Sequence, residues 1–140
     1  MYDFVTIAEA LSAAADKEAL LIDVRQEEDY RCGHLPFSVN IPLAEFMKGT
    51  YRDHQDFAAF AVRREKKGTG DKIIVYCETG TGSVLAAGKL DRDGFDAFSI
   101  SGGVSHYRGK LERSAEPGLG RGKCQQSLRT PRWKSGMGRT

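Results

Sequence analysis

Residues 72–94 constrain this chain more than any other stretch. Lys72-Ile73-Ile74-Val75-Tyr76 is a short apolar run rich in β-branched side chains, the pattern of a strand in a sheet. It ends at Cys77 and passes at once into Glu78-Thr79-Gly80-Thr81-Gly82. A helical pattern then runs from Ser83 to about Asp93 and stops at Gly94. In an open α/β sheet, ligands bind where the carboxyl ends of strands meet the following loops and helix starts. Cys77 occupies that place. Glycines at 80 and 82 let the backbone curl so that successive N–H groups face one spot. Those amides and the positive end of the following helix dipole stabilise negative charge on sulfur. The expected product is a nucleophilic thiolate in a bowl that also accepts an anion. A small buried residue that ends a strand is the competing reading of Cys77, and spacing alone does not choose between them. Thr79-Gly80-Thr81-Gly82 lacks the Gly-Lys-Ser/Thr end of a P-loop, and no Gly-x-Gly-x-x-Gly fingerprint follows a strand.

The flanking segments supply the rest of an α/β domain. Thr6 and Glu9 have capping-box spacing, and Ile7, Ala10, Leu11 and Ala14 then share one helical face. Ala19-Leu20-Leu21-Ile22-Asp23-Val24 reads as a second buried strand. Phe57, Phe60 and Ala61 recur at helical spacing, in a helix that ends in Arg63-Arg64-Glu65-Lys66-Lys67 and stops at Gly68. Phe95 to Ile100 reads as a further strand, closed by Gly102-Gly103. Helices interleaved with apolar strands predict an α/β sandwich around a central, mostly parallel sheet.

Charge divides the chain. Residues 1–114 carry 15 basic and 18 acidic side chains, net −3, whereas 115–140 carry 6 basic ones against Glu116, net +5. The expected organisation is one domain over 1–113 and a basic, glycine-containing, disordered tail over 114–140, with Trp133 as its one large aromatic. The mildly acidic domain gives no reason to expect nucleic acid as a partner. No run approaches the roughly 18 consecutive apolar residues of a membrane helix, and Met1-Tyr2-Asp3-Phe4 lacks the basic start of a secretory leader. Three scattered cysteines, Cys32, Cys77 and Cys124, suit neither a disulfide framework nor a paired-cysteine zinc site. A cytoplasmic protein with mostly reduced thiols and no metal or organic cofactor is expected.

Four stretches, in order, resemble the single-domain rhodanese (thiosulfate sulfurtransferase-like) family over about residues 3–113. They are Leu21-Ile22-Asp23-Val24-Arg25 with Asp29-Tyr30, Gly33-His34-Leu35-Pro36 followed by Asn40-Ile41-Pro42, Ile73 to Cys77 with the loop to Ser83, and Ser101-Gly102-Gly103 through Tyr107. The resemblance implies a rhodanese-like three-layer sandwich and makes Cys77 the sulfur-accepting nucleophile. A donor such as thiosulfate, or a persulfide, would leave a persulfide on Cys77, and a thiol or cyanide, or a sulfur-acceptor protein, would then remove it. Residues Glu78, Thr79, Gly80, Thr81, Gly82 and Ser83 would cradle donor and persulfide. Asp23 and Arg25 stand at the same sheet edge. Both are candidate substrate-binding residues; Arg25, near Asp29, is expected rather to form a structural ion pair, and Asp23 to organise the neighbouring loop.

Departures from the family pattern matter. Many active relatives carry an Arg beside the catalytic Cys or at the sixth place of the loop, where this chain has Glu78 and Gly82. A carboxylate there disfavours the thiolate and repels a dianionic donor, and a missing Arg removes a bidentate anion clamp. Thiosulfate turnover is therefore the doubtful part of the activity, and a non-catalytic sulfur-carrier or binding module is the alternative. The related cell-cycle phosphatases close a longer loop with Arg, but position 83 is Ser, so phosphoryl transfer is not expected. Phe37 replaces the family's Gly after Pro36, and Tyr107 its Trp. His34 is expected to hydrogen-bond its turn, and His54 and His106 to lie at the surface. Cys32 is weighed as a resolving thiol for Cys77, against the specific geometry that a disulfide requires.

Overall fold

The computed structural model describes residues 2–67, 72–105 and 107–113. The basic tail, Gly68, His106, Cys124 and Trp133 fall outside them. Five strands, β1 (Asp3–Val5), β2 (Ala19–Asp23), β3 (Ser38–Asn40), β4 (Lys72–Tyr76) and β5 (Ala97–Ile100), form one sheet in the order β1-β5-β4-β2-β3. Every pairing is parallel, so the sheet is wholly parallel where a mostly parallel one was expected. Because all strands point the same way, their carboxyl ends collect along one edge, and β4, which ends at the candidate site, lies in the middle.

The helices are α1 (Ile7–Ala15), α2 (Glu27–Cys32), α3 (Leu43–Lys48), α4 (Gln55–Lys67) and α5 (Thr81–Arg92), with a 3-10 turn at Thr50–Asp53. The capping box at the start of α1 forms as its sequence requires. Glu9 N–H donates to the Thr6 hydroxyl at 3.1 Å, and Thr6 N–H donates to the Glu9 carboxylate at 2.8 Å. The strand from Phe95 is shorter than its sequence pattern, because Phe95 packs on the core and stacks edge-on against Phe57 instead of extending β5. The sequence gives weaker signals for β1, α2, β3 and α3. Each is only three to six residues long, too short for a period to show.

Alternation along the strands splits the core into two layers. Ile73, Val75 and Cys77 face one way with Ile22 and Val24, toward Phe46, Tyr51, Phe57 and Leu90 of the α3–α5 side. Ile74 and Tyr76 face the other way with Leu21, toward Ala10 and Ala14 of α1 and toward Leu35 and Val104. Ile73, Val75, Leu21 and Ile22 have no exposed surface. Burial of each contributes about 1.5–3 kcal/mol. The period of two that buries β4 on both faces therefore also fixes the direction of Cys77, toward the first turn of α5.

One backbone position costs stability. Phe37 follows Pro36 with a left-handed φ of 69°, yet its side chain remains 60% exposed. The conformation costs about 1–2 kcal/mol for a residue with a Cβ, and little burial offsets it. Phe37→Gly is expected to stabilise the domain by about 0.5–1 kcal/mol after the glycine's own entropy cost. Equilibrium denaturation measures this, and an unchanged or lower midpoint would show that the ring's contacts outweigh the strain.

Candidate functional site

Cys77 is the first residue past β4 and is 7% exposed. Its sulfur receives the Gly80 N–H at 2.9 Å and the Ser83 N–H at 3.4 Å, two donors that a thiolate accepts more strongly than a thiol. The chain reaches this arrangement because Gly80 takes a φ of 101°, which reverses the loop and starts α5 at Thr81, two residues ahead of the start at Ser83 that the sequence suggests. Gly82 has a different role from the one its composition suggests. It lies inside α5, and a Cβ there would make ordinary contacts, 3.7 Å from Cys77 Cβ and 3.8 Å from Sγ. Gly80 supplies the curl. Of the other loop residues, Thr79 and Thr81 face each other through their hydroxyls at 3.4 Å on the exposed rim.

Beneath the sulfur lies a polar pair that sequence patterns do not reveal. The Ser83 hydroxyl sits 3.7 Å from Cys77 Sγ and 3.2 Å from the Gly80 carbonyl, and it shares a hydrogen bond of 2.7 Å with the hydroxyl of Ser99 on β5. Both serines are fully buried. Their mutual bond satisfies two hydroxyls that would otherwise cost about 1–3 kcal/mol each. The only sequence trace of Ser99 is a polar residue inside an apolar strand pattern.

The turn after β5 locks the loop from the other side. Val104 N–H donates to the Cys77 carbonyl at 3.0 Å, and Ser105 N–H to the Glu78 carbonyl at 2.9 Å. This approach requires glycine at 103. Its φ is 68°, and a Cβ would stand 2.5 Å from the Glu78 carbonyl oxygen and 2.6 Å from that of Cys77. Gly103→Ala is expected to destabilise the domain by at least about 2 kcal/mol through strain and this clash. Thermal unfolding is the readout, and a variant as stable as the parent would mean that the turn can move away without loss.

Asp23 and Arg25 form the third wall. The Asp23 side chain has no exposed surface. Its carboxylate accepts the Arg25 backbone N–H at 2.8 Å, Arg25 Nε at 3.0–3.1 Å and Nη2 at 2.8 Å. Arg25 Nη2 also donates to the Gly33 carbonyl at 2.6 Å, and Nη1 reaches the Glu78 carboxylate at 3.2 Å. Arg25 forms a structural ion pair with Asp23, as adjacent turns at the end of β2 let the guanidinium fold back onto it. Burial works against the charge of Arg25, but the hydrogen bonds and charge of Asp23 outweigh it and raise the pKa above its ordinary value. Asn40 Nδ2 fastens the same corner, donating to the carbonyls of Asp23 at 2.9 Å and Arg25 at 3.0 Å. Asp23→Asn leaves a nearly buried guanidinium without its carboxylate, and a loss of about 3–5 kcal/mol is expected in denaturant titration. A loss below about 1 kcal/mol would show the pair to be no more than a surface contact.

These elements open onto a pocket of about 740 Å³. Cys77, Glu78, Thr79, Thr81 and Gly82 line it on one side, and Arg25, Asp29, Leu43, Val104 and Leu111 contribute to the others. Thus Cys77 and its loop share one cavity with Arg25, while Asp23 stands behind Arg25. Cys32 lines the same cavity and is 3% exposed, and Cys77 is a free thiol. His34 is 4% exposed, with Nδ1 at 2.7 Å from the Tyr30 carbonyl and its ring stacked on that of Tyr30. No group of three or more metal-ligating side chains occurs among the described residues. None of their helices is long and apolar enough to cross a membrane.

The profile of the rhodanese-like domain matches residues 6–110. The chain belongs to that family. Curated relatives include a tRNA sulfurtransferase of Desulfurococcus amylolyticus, 30% identical over 69% of this chain and 16% of the relative. They also include the adenylyltransferase and sulfurtransferase MOCS3 of Drosophila grimshawi, 27% identical over 79% of this chain and 23% of that protein. The putative sulfur carrier protein YrkF of Bacillus subtilis is 28% identical over 70% of this chain and 46% of its own length. The chain thus spans less than half the length of each of these relatives. A rhodanese-like domain protein of Staphylococcus aureus shares the fold with a TM-score of 0.59 at 21% identity, covering 82% of this chain and all of that one. The rhodanese-like α/β architecture expected from the sequence is therefore the one the chain adopts, in a family with sulfurtransferase-related members.

Proposed function

We propose that this rhodanese-like domain is a sulfurtransferase that carries sulfane sulfur on Cys77. The observation that carries the proposal is the pair of N–H groups, from Gly80 and Ser83, aimed at a free cysteine sulfur on the wall of an open pocket. A thiolate in that position attacks the outer sulfur of a donor. With thiosulfate, the new bond joins Cys77 Sγ to the sulfane sulfur, the sulfur–sulfur bond of the donor breaks, and its electron pair leaves with sulfite. With a persulfide RSSH, the same attack expels the thiolate RS⁻. An acceptor thiolate or cyanide then attacks the outer sulfur of the Cys77 persulfide and returns Cys77 as thiolate. Amides already directed at the sulfur, on a loop fixed by Gly103, stabilise the anionic species of both steps without reorganising. The relatives that transfer or carry sulfur support the chemistry, and the donor and acceptor of this chain are proposed from its site alone. The partners are a small sulfur donor and a thiol, cyanide or sulfur-acceptor protein.

Incubation with thiosulfate or glutathione persulfide, followed by intact mass measurement, tests this. The parent protein is expected to gain one sulfur that dithiothreitol or cyanide removes, and Cys77→Ser to gain none. A parent protein that takes no sulfur from either donor would refute transfer through Cys77 and leave a non-catalytic binding module.

A further inference from the structure

Arg25 is the one cation among the described residues lining the Cys77 pocket, and the structure shows how its donors are spent. A guanidinium has five N–H groups. Nε and one Nη2 hydrogen face Asp23, the second Nη2 hydrogen faces the Gly33 carbonyl, and Nη1 faces Glu78. One N–H remains. The arginine of the pocket therefore has four of its five donors taken up, and it pairs with two carboxylates, Asp23 and Glu78. The two carboxylates differ in kind. Asp23 is fully buried and belongs to the frame, whereas Glu78 is 51% exposed, next to Cys77 in sequence and on the pocket wall. An anionic donor that uses the remaining Nη1 hydrogen of Arg25 meets the Glu78 carboxylate on the same nitrogen.

We propose that Glu78 is the charge selector of the Cys77 site: held toward the pocket by Arg25, its carboxylate favours persulfide donors bearing a neutral or cationic group near the sulfane sulfur and disfavours dianionic donors such as thiosulfate. This rests on Cys77 being the sulfur acceptor. The apolar wall formed by Leu43, Val104 and Leu111 suits the carbon body of an organic persulfide better than a sulfonate. With a persulfide donor, Cys77 thiolate takes the terminal sulfur of RSSH and releases RS⁻, so the carboxylate never faces a second, permanent anion on the donor.

The test compares the parent with Glu78→Gln, a shape-conserving change at a half-exposed side chain. Its readout is the second-order rate of Cys77 loading from thiosulfate and from cysteamine persulfide, whose ammonium group is cationic. Glu78→Gln is expected to raise the thiosulfate rate and lower the cysteamine persulfide rate, shifting their ratio by about tenfold or more. Added salt should speed thiosulfate loading of the parent by screening the repulsion, and should do so much less in the variant. If both donors move in the same direction, or their ratio stays within about twofold, Glu78 is not the selector. Sulfur loading of the parent would meanwhile leave the role of Cys77 standing. If neither donor loads either protein, the sulfur-acceptor role itself falls, and the selector with it.

Discussion

A carboxylate with no exposed surface, that of Asp23, ties the site to the sheet. It sits at the last residue of β2, takes up both the backbone and the guanidinium of Arg25, and through Arg25 reaches the Gly33 carbonyl and Glu78. Segments distant in sequence, the end of β2, the turn after α2 and the loop after β4, thus meet on one ion pair. Burying a charge is costly unless it is paired and hydrogen-bonded. Here four interactions meet that demand at one carboxylate, and the backbone that follows β2 has little freedom to go elsewhere. Asn40 reinforces the corner from β3.

The same economy governs the sulfur. Backbone donors from Gly80 and Ser83 face the Cys77 sulfur, and those donors do not titrate. Gly80 supplies the reversal and Gly103 the close approach of the neighbouring turn, so two residues without side chains set the shape of the loop. Relatives described as sulfurtransferase and sulfur carrier share the domain, and this chain spans only 16 to 46% of their lengths.

Much of this was legible in the sequence, for reasons that can be named. The run at 72–76 shows as a strand because every residue after Lys72 is buried on one face or the other, and the capping box at Thr6 is a local pattern that local chemistry fulfils. The loop showed itself through Gly80. The short elements, β1, α2, β3 and α3, left no periodic trace, and their order in the sheet comes from pairings that no local window contains. Ser99 was hidden for the same reason. Its partner Ser83 lies 16 residues away, and only folding brings the two hydroxyls under the sulfur. That Arg25 forms an ion pair was legible from its setting, but its partner Asp23 was not, because sequence spacing says nothing of where a side chain folds back.

β4 is the middle strand of five, bonded to β2 on one side and β5 on the other, and buried on both faces. Cys77 is therefore anchored to the part of the domain with the most neighbours and the least room to shift. Among the described residues, Glu78, half exposed beside it, is held by its backbone and by one side-chain contact to Arg25. Immobile chemistry and an interchangeable side chain thus stand one peptide bond apart. On the role proposed for Glu78, one clientele would give way to another through a single surface position, with the architecture left untouched.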